Sequence, residues 1–399
     1  MSTQKTWVIE TSDLQVGSTL GFELTDSDGN VLHKAGMPIT ERLLERLKKK
    51  GIDSVSVQGQ SESEAAQASE VLFAAFPEKL IRNLQATVDN AELAINHACQ
   101  QLQAQEDINV EEILDSIDRF AAQSKQDSAA AFAVLVAKYN SMPQQLLDKL
   151  VSRSTTLAMM GITTSVVMGF SEDETVDTGL VGFLHDCSLM LHPEWFEDFE
   201  AIAENPKMLA EFRNHPNESA DLLQGMDGIT DDVLTAITQV HEQLDGSGFP
   251  NGQSGRLIHT SARILNLADA YLNLVQPMFK KDSVLCSDAM AYLCHHASQG
   301  RFDPQIARGF ISWLSMYPIG SAVELDDHST AIVIRGNPAN PMKPTVQIIG
   351  AVQRIADLSV SPRSIVGPDA KLLATAKRIS KSMLDNVLWR PDMVAELAT

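Results

Sequence analysis

Short apolar runs broken by turn residues occupy the first sixty residues of the chain. Residues 7–36 contain strand-like runs that are interrupted by glycines and by the turn DSDGN. The next segment, ITERLLERLKKKGI, is amphipathic and closes at Gly51, which predicts a helix, and DSVSV predicts a last strand. We therefore expect a small α+β domain over residues 1–60.

A helical pattern follows a polar linker. Residues 58–70 are rich in Ala, Ser, Glu and Gln, as in flexible linkers between domains. From residue 81 to residue 103, apolar residues recur at steps of three and four without a helix breaker. This stripe has two interpretations: it packs against another helix of the chain, or it forms a dimerising signalling helix. We assign residues 61–140 to a linker and helical segment.

The remaining pattern divides at about residue 315. Residues 141–315 are helical again, with interruptions at GFSEDE and at residues 241–252. Beyond Pro318, three β-branched runs predict a small antiparallel sheet, and residues 369–388 predict a final helix. The predicted fold class is mainly α, with a helical bundle flanked by the N-terminal α+β domain and by a β-rich extension over residues 316–399.

Composition and charge exclude several classes of protein. A chain of 399 residues is long enough for two or three domains. The net charge of −21 argues against binding to a nucleic acid polymer, although a local site can still hold a small anion. The longest strongly apolar stretch, residues 129–137, is too short for a membrane span, and the N-terminus lacks the layout of a secretory signal. Four scattered cysteines without a CxxC pair are typical of a cytoplasmic protein with reduced thiols.

Side chains suited to metal binding recur in the helical segment. They lie at four points, the adjacent pair His185-Asp186, then His215, His241 and Asp269, separated by 29, 26 and 28 residues. Each point lies in or beside a predicted helix, so a bundle can bring all of them together. Imidazole and carboxylate ligands suit Fe, Mn or Zn. Single His and Asp residues are more often surface or satisfied core residues, so the spacing alone leaves both interpretations open.

The sequence motifs around these residues are more specific for a protein family than the spacing of the residues. Five segments follow one another in the order GFLHDCSLMLHPEW, RNHPNESADLL, VHEQLDGSGFPNG, SARILNLADAY and GRFDPQIARGF. Together they resemble the HD-GYP family, metal-dependent phosphodiesterases that hydrolyse the bacterial second messenger cyclic di-GMP and whose fold is a helical bundle of the HD superfamily. The resemblance covers residues 141–315, and the flanking segments are similar to domains that often accompany this family.

The resemblance implies a metal centre beside a substrate-binding loop. It gives Asp186 the bridging place between ions and, if the protein is active, the catalytic role. It implies one or two ions of Fe or Mn and no organic cofactor. The implied metal ligands are His185, Asp186, His215, His241 and Asp269. The implied substrate-binding residues are Gly248, Phe249 and Pro250, in the loop after His241, and Lys281, which matches a cation for the substrate phosphate.

Several positions depart from the family pattern. Where the family has Glu and His one helical turn apart, this chain has Lys149 and Arg153. Val240 replaces the first of two adjacent histidines. Two family cations are lost, at Leu189 and Met278. The milder changes are Ser188 for Gly and Phe249 for Tyr.

Arg153 is the departure with the largest electrostatic effect. A guanidinium about 4 Å from a divalent ion costs roughly 8 kcal/mol at an effective dielectric constant of about 20. Arg153 must therefore either point away from the centre or take the space of the first ion. A site with fewer ions and more fixed cations still suits a bound anion, so Arg153 is also a candidate for substrate binding.

Three functions remain open at this point. The favoured one is a degenerate signalling protein that senses cyclic di-GMP or a related anionic nucleotide, or acts as an interaction module, without turnover. The second is an active metal-dependent phosphodiesterase that hydrolyses cyclic di-GMP. The third is a structural role, with the retained residues as relics. A signalling protein partner and a homodimer are left open as partners.

Other histidines are weaker candidates for metal binding. His192 and His259 stand where the family prefers apolar or Pro residues, which makes them candidate replacement ligands. The adjacent residues His295 and His296 point about 100° apart on a helix. We therefore expect one solvent-facing histidine with a half-buried neighbour.

Overall fold

The described residues of the N-terminal part of the chain form a small sheet and a helix. The computed structural model describes residues 6–10, 24–25, 31–34, 40–50, 52, 54–58, 73, 75–139, 145–196, 202, 204–278, 283–350 and 354–369. Strands β1 (Thr6–Glu10), β2 (Leu24–Thr25), β3 (Val31–His33) and β4 (Ser54–Gln58) form an antiparallel sheet in the order β1-β4-β2-β3. Helix α1 (Glu41–Lys49) begins after Thr40, whose hydroxyl accepts the N–H of Leu43 at 3.2 Å. These elements match the α+β pattern predicted for the first sixty residues.

The helical body of the chain extends from residue 78 to residue 314. Its helices are α2 (Glu78–Gln103), α3 (Val110–Gln126), α4 (Ser128–Tyr139), α5 (Leu146–Met168), α6 (Glu172–Leu184), α7 (Pro206–Arg213), α8 (His215–Leu223), α9 (Asp231–Ile237), α10 (Thr260–Val275), α11 (Cys286–Ser298) and α12 (Pro304–Leu314). Short 3-10 turns lie at Cys187–Leu191, Pro193–Phe196 and Gly255–Leu257. None of the helices that the structure describes combines the length and the apolar character that crossing a bilayer requires.

Helix α5 lies at the centre of this body. It contacts α2, α3, α4, α6, α10 and α12, and its side chains from Leu150 to Ser165 are all buried. The polar side chains of a helix that is buried on all sides lose water as a hydrogen-bond partner. Thr163 and Thr164 instead donate to the carbonyl groups four residues earlier, each at 2.8 Å. Arg153 is the charged residue of this buried stretch, and it requires an anionic partner.

Helix α2 packs along the body through the apolar stripe predicted from the sequence. Its buried residues recur at steps of three and four, among them Leu80, Leu84, Val88, Ala91, Ile95, Ala98 and Leu102. The helix contacts α3, α4 and α5. The stripe therefore packs within the chain, as the first of the two interpretations predicts. The C-terminal half of α2 also lines a crevice whose opposite wall includes Asp186 and Cys187.

A five-stranded antiparallel sheet follows the helical body. Its strands are β5 (Ala322–Leu325), β6 (Thr330–Arg335), β7 (Thr345–Ile348), β8 (Arg354–Asp357) and β9 (Ile365–Pro368), in the order β8-β7-β6-β5-β9. Six buried apolar residues form a core of its own: Val323, Leu325, Ala331, Val333, Val346 and Leu358. Arg335 joins the sheet to the helical body, since Nη2 lies 2.8 Å from Asp127 Oδ2.

This sheet has two strands more than the sequence predicts. The three β-branched runs correspond to β5, β6 and β7, whereas β8 and β9 lie at the two edges. Strand β8 is mostly exposed, and β9 contains a glycine and a proline, which are tolerated at an edge. Edge strands need little apolar surface, so their sequences carry a weak signal. The predicted final helix lies outside the described residues, which end at Asp369.

Replacing Gly182 with Ala tests the close contact between α5 and α6. A Cβ atom at this position would lie 2.6 Å from the Cα atom of Ala158, so the helices would have to separate. We expect Gly182→Ala to lower the free energy of unfolding by about 1–3 kcal/mol, measured by urea denaturation. Gly367→Ala is the matched control, because no atom lies within 4 Å of the added methyl group there. Equal stability of the Gly182→Ala variant and the unmodified protein would contradict this packing.

Candidate metal centre

His185 and Asp186 lie where helix α6 ends. The helix begins with a capping box between Ser171 and Glu174, and His185 is its C-terminal cap. The His185 imidazole is buried, and its Nδ1–H donates to the carbonyl of Gly182 at 3.1 Å. Because a carbonyl can only accept, this bond leaves Nε2 with a lone pair that can bind a cation. The Nε2 atom lies 3.1 Å from Asp186 Oδ1.

His215 approaches the same carboxylate from the start of helix α8. Asn214 is both the C-terminal cap of α7 and the N-terminal cap of α8, so the chain turns sharply just before this histidine. The Nδ1–H of His215 donates to the carbonyl of Phe212 at 2.7 Å, which orients the ring in the same way as in His185. Its Nε2 atom lies 3.0 Å from Asp186 Oδ1.

His241 follows α9 and opens the signature loop, which we define as residues 241–252. Its Nε2 atom lies 3.2 Å from His215 Nε2 and 3.5 Å from Asp186 Oδ1. The buried Nδ1 atom has no hydrogen-bond partner and lies 3.8 Å from Asp269 Oδ2. Phe249 stacks on the imidazole, with ring centres 4.9 Å apart and planes inclined by 18°. Stacking, rather than a hydrogen bond to a carbonyl, therefore orients this ring.

The donor atoms of these residues fit one divalent ion. Ligands that share an ion at about 2.0–2.2 Å lie roughly 3.0–3.5 Å apart. The distances among Asp186 Oδ1 and the Nε2 atoms of His215 and His241 are 3.0, 3.2 and 3.5 Å. The ligand atoms of His185, Asp186 and His241 also lie within 4.8 Å of one another, and His185 Nε2 is buried without a hydrogen bond. A cation would satisfy these atoms, and the mixture of imidazole and carboxylate suits Fe, Mn or Zn.

Asp186 supplies the negative charge that such an ion needs. Burial raises the pKa of Asp186, but attraction to His185 and the close contacts with the three imidazoles outweigh it and hold the pKa well below its ordinary value. Burial lowers the pKa of His185, and the charge of Asp186 outweighs this effect, so that pKa is raised. Burial lowers the pKa of His241. At neutral pH, an ionised carboxylate therefore faces a neutral His241.

The second buried carboxylate, Asp269, is paired with Arg153. The Arg153 Nη2 atom lies 2.6 Å from Asp269 Oδ1, and the two side chains are 6% and 4% exposed. Arg153 also donates to Asn273 Oδ1 at 2.6 Å and to the carbonyl of Gln276 at 3.3 Å. Asn273 donates in turn to Asp269 Oδ2 at 2.8 Å. The guanidinium thus lies beside Asp269 and does not point away from the centre, whereas its occupation of the space of an ion stays a prediction.

The charge of Arg153 limits what this part of the site can hold. The guanidinium neutralises Asp269, so a divalent ion about 4 Å away would meet a fixed positive charge at a cost of roughly 8 kcal/mol. Both oxygens of Asp269 accept hydrogen bonds from protein groups, and its role as a metal ligand stays a prediction. The contacts of Arg153 described above are with protein acceptors, and its role in substrate binding also stays a prediction.

Backbone contacts hold the signature loop against the centre. The Glu242 side chain is buried and accepts two backbone N–H groups of the following turn, at 2.7 and 3.0 Å. Gly248 must be glycine, because a Cβ atom there would lie 2.4 Å from the backbone nitrogen of Gln243. The N–H of Phe249 donates to the carbonyl of His241 at 3.2 Å, which places the aromatic ring beside the imidazole. Sequence reasoning missed Glu242, although its position directly after a candidate ligand is a signal.

Access to the centre is narrow. Asp186 keeps 12% of its side chain exposed, whereas His185 and His215 keep 2% each. The Phe249 ring covers one side of His241, and the guanidinium carbon of Arg213 lies 6.0 Å from the centre of that ring. Solvent therefore reaches the cluster mainly along Asp186, beside an aromatic ring and a cation.

The departures from the family pattern are mostly buried. Val240 is fully buried, and its carbonyl accepts a hydrogen bond from Asn266 at 2.8 Å. Leu189 is also buried. Lys149, Gly248, Pro250 and Met278 are half-buried. Lys281, the expected phosphate-binding cation, lies outside the described residues.

The weaker histidine candidates have other partners. His192 Nε2 lies 2.9 Å from Glu218, and His259 accepts a backbone N–H at the start of α10. The expectation of a solvent-facing histidine in the pair at residues 295 and 296 is wrong. His295 is half-buried and His296 is 5% exposed, because α11 contacts both α10 and α12 and two faces of the helix are covered.

Known proteins share the central part of this chain. The family model of the HD domain matches residues 141–306. The chain is 26% identical over 177 residues to cyclic di-GMP phosphodiesterase PA4108 of Pseudomonas aeruginosa, which is 43% of this chain and 41% of the relative. It is 25% identical over 213 residues to cyclic di-GMP phosphodiesterase PdeB of Borreliella burgdorferi, which is 53% of this chain and 55% of the relative. Among solved structures, Bd1817, an HDG"Y"P protein from Bdellovibrio bacteriovorus, has a TM-score of 0.45 and 19% identity over 77% of this chain and 98% of that chain.

The fold and the centre define a helical domain built around an adjacent His-Asp pair whose ligand atoms could hold a metal ion. Residues 141–306 match the HD-domain family model, and the resemblance to HD-GYP proteins indicated by the five motifs is confirmed by this match and by the curated relatives. The chain spans about half the length of the curated relatives it matches.

Replacing Glu242 with Gln tests the anchoring of the signature loop. The amide group of Gln would place an N–H donor against one of two backbone N–H groups that now share the carboxylate. We expect Glu242→Gln to lower the free energy of unfolding by about 1–3 kcal/mol, measured by urea denaturation. Glu324→Gln is the control, because Glu324 is 46% exposed and pairs only with an exposed histidine in the contacts described for it. Equal losses in the two variants would refute the anchoring role.

Proposed function

We propose that this chain is a cyclic di-GMP signalling protein of the HD-GYP type that holds one divalent ion and senses an anionic nucleotide without sustained turnover. Two named relatives are cyclic di-GMP phosphodiesterases, which supports this ligand class. The observation that carries the proposal is the buried ion pair between Arg153 and Asp269. It puts a fixed cation at the position where the family motif has a metal-binding histidine.

The charges around the centre support binding over reaction. Asp186 and His241 fit one ion together with either His215 or His185, and the ion when bound would polarise a phosphate oxygen of the ligand. Leu189 and Met278 stand where the family has cations, so fewer groups remain to stabilise charge that develops on phosphate. The loss of one such donor typically slows a reaction by about 10²–10³-fold. Arg153 adds a positive charge, but its hydrogen bonds with Asp269 and Asn273 hold it inside the protein.

Hydrolysis of cyclic di-GMP is the second candidate. It is favoured by the convergence of His185, His215 and His241 on one carboxylate, which a purely structural role would not require. In that case Asp186, which is ionised and partly accessible, would be the catalytic carboxylate. A signalling protein partner and a homodimer remain compatible with both candidates.

Metal analysis and calorimetry test the proposed function together. Protein prepared with Fe and Mn is expected to contain about one ion per chain, to release heat on titration with cyclic di-GMP, and to leave the nucleotide intact. Asp186→Ala is expected to lose the ion, because it removes the carboxylate that all three imidazoles face. Asp115→Ala is the control, since that exposed carboxylate pairs with Arg119 on the surface of α3.

Other outcomes of this experiment are equally informative. Two ions per chain, with hydrolysis that Asp186→Ala abolishes, would establish the phosphodiesterase and overturn the sensor. An ion without any heat on nucleotide addition would indicate a protein-interaction module. Heat that disappears in Lys281→Ala would support binding of a nucleotide phosphate.

Replacing Arg153 with Ala tests whether the guanidinium stands in for an ion. The variant leaves Asp269 buried without a counter-charge, which typically costs about 3–5 kcal/mol of folding free energy. Mn²⁺ is expected to raise the thermal unfolding midpoint of Arg153→Ala by more than it raises that of the unmodified protein, because the ion can replace the lost charge.

Arg263→Ala is the matched control for this variant. Arg263 lies on a different part of α10, and its Nη1 atom is 2.8 Å from Asp303 Oδ2. The substitution breaks this partly buried ion pair. The control should lose stability and show the same Mn²⁺ effect as the unmodified protein. An equal Mn²⁺ effect in all three proteins would contradict the substitution of a guanidinium for an ion.

A further inference from the structure

A network of three hydrogen bonds joins the segment that carries Asp186 to the segment that carries His215. The backbone N–H of Ser188 donates to Ser219 Oγ at 3.1 Å. The Ser219 hydroxyl donates to Ser188 Oγ at 2.9 Å, and the Ser188 hydroxyl donates to the carbonyl of His215 at 2.9 Å. Both serines are fully buried. Each hydroxyl therefore uses its single proton and accepts one hydrogen bond.

This hydrogen-bond network lies directly beside the candidate metal centre. Ser188 lies two residues after Asp186, in the 3-10 turn that continues from the end of α6. Ser219 lies one helical turn after His215, on the same face of α8. The hydroxyls thus join the segment of Asp186 to the backbone of His215. The Nε2 atom of His215 lies 3.0 Å from Asp186 Oδ1.

We infer that Ser188 and Ser219 are positioning residues that set the separation of Asp186 and His215 for metal binding. The inference rests on the proposed function insofar as that function includes one bound ion. Ser188 stands where the family motif has a glycine, which offers no hydroxyl. With Val240 and Arg153 in the places of two family histidines, each remaining ligand contributes a larger share of the coordination, so its placement matters more.

A general role in stability is the competing explanation, and a matched pair of residues in the same protein can exclude it. The hydroxyls of Ser124 and Thr163 are also buried and lie 3.2 Å apart, between α3 and α5. Ser124→Ala removes a buried hydroxyl contact of the same kind, without touching the segments that carry the ligands. It should therefore affect unfolding and leave metal binding unchanged.

The experiment measures the dissociation constant for Mn²⁺ by calorimetry and the thermal unfolding midpoint in the presence of a chelator. We expect Ser188→Ala and Ser219→Ala each to weaken Mn²⁺ binding about tenfold, as for other groups that orient metal ligands. The double variant should bind Mn²⁺ only slightly more weakly than either single variant, because the two hydroxyls belong to one hydrogen-bond network. Ser124→Ala should lower the unfolding midpoint by a similar amount and keep its Mn²⁺ affinity within about twofold of the unmodified protein.

The outcomes separate this inference from the proposed function. Unchanged Mn²⁺ affinity in both serine variants, beside an unmodified protein that binds the ion, would overturn the inference alone. Equal weakening in Ser124→Ala would also overturn it, since the effect would then follow from stability. An unmodified protein that binds no Mn²⁺ and contains no Fe would overturn the one-ion proposal, and the inference with it.

Discussion

A carboxylate that is removed from water must be given a positive charge or hydrogen bonds in exchange. Asp186 and Asp269 both face the interior of the helical body, and the chain satisfies them in different ways. Asp269 is held by the guanidinium of Arg153 and by an amide. Asp186 is surrounded by imidazoles, two of which direct Nδ1 to backbone carbonyls and Nε2 to the carboxylate. The first arrangement is complete within the protein, whereas the second has the donor atoms and spacing of a metal site.

The same residues contribute to the packing of the helices and to the geometry of the centre. Gly182 allows α6 to approach the backbone of α5 at Ala158, and its carbonyl accepts the Nδ1–H that orients His185. Helix α5 also carries Arg153, so a helix that is buried along most of its length positions the cation beside Asp269. A change in the distance between α5 and α6 would therefore move groups of both carboxylate sites together.

Long periodic patterns and family motifs could be predicted from the sequence, whereas long-range polar contacts could not. Helix α2 was predictable because its stripe has a helical period over more than twenty residues. The motifs identified His185, Asp186, His215 and His241, which the structure brings together. The inward position of Arg153 depends on acceptors 120 and 123 residues away, and no local pattern indicates them. The burial of His296 likewise depends on two neighbouring helices rather than on its own sequence.

The ion pair of Arg153 and Asp269 has a consequence for the order in which the protein is assembled. A guanidinium is part of the chain from synthesis onward and cannot be removed by a chelator. The interior around α5 can therefore reach charge balance at Asp269 whatever the supply of Fe or Mn. Under the proposed function, the imidazole cluster at Asp186 is the part of the described structure that depends on that supply. The proposal therefore implies that the chain folds first and acquires its ion afterwards.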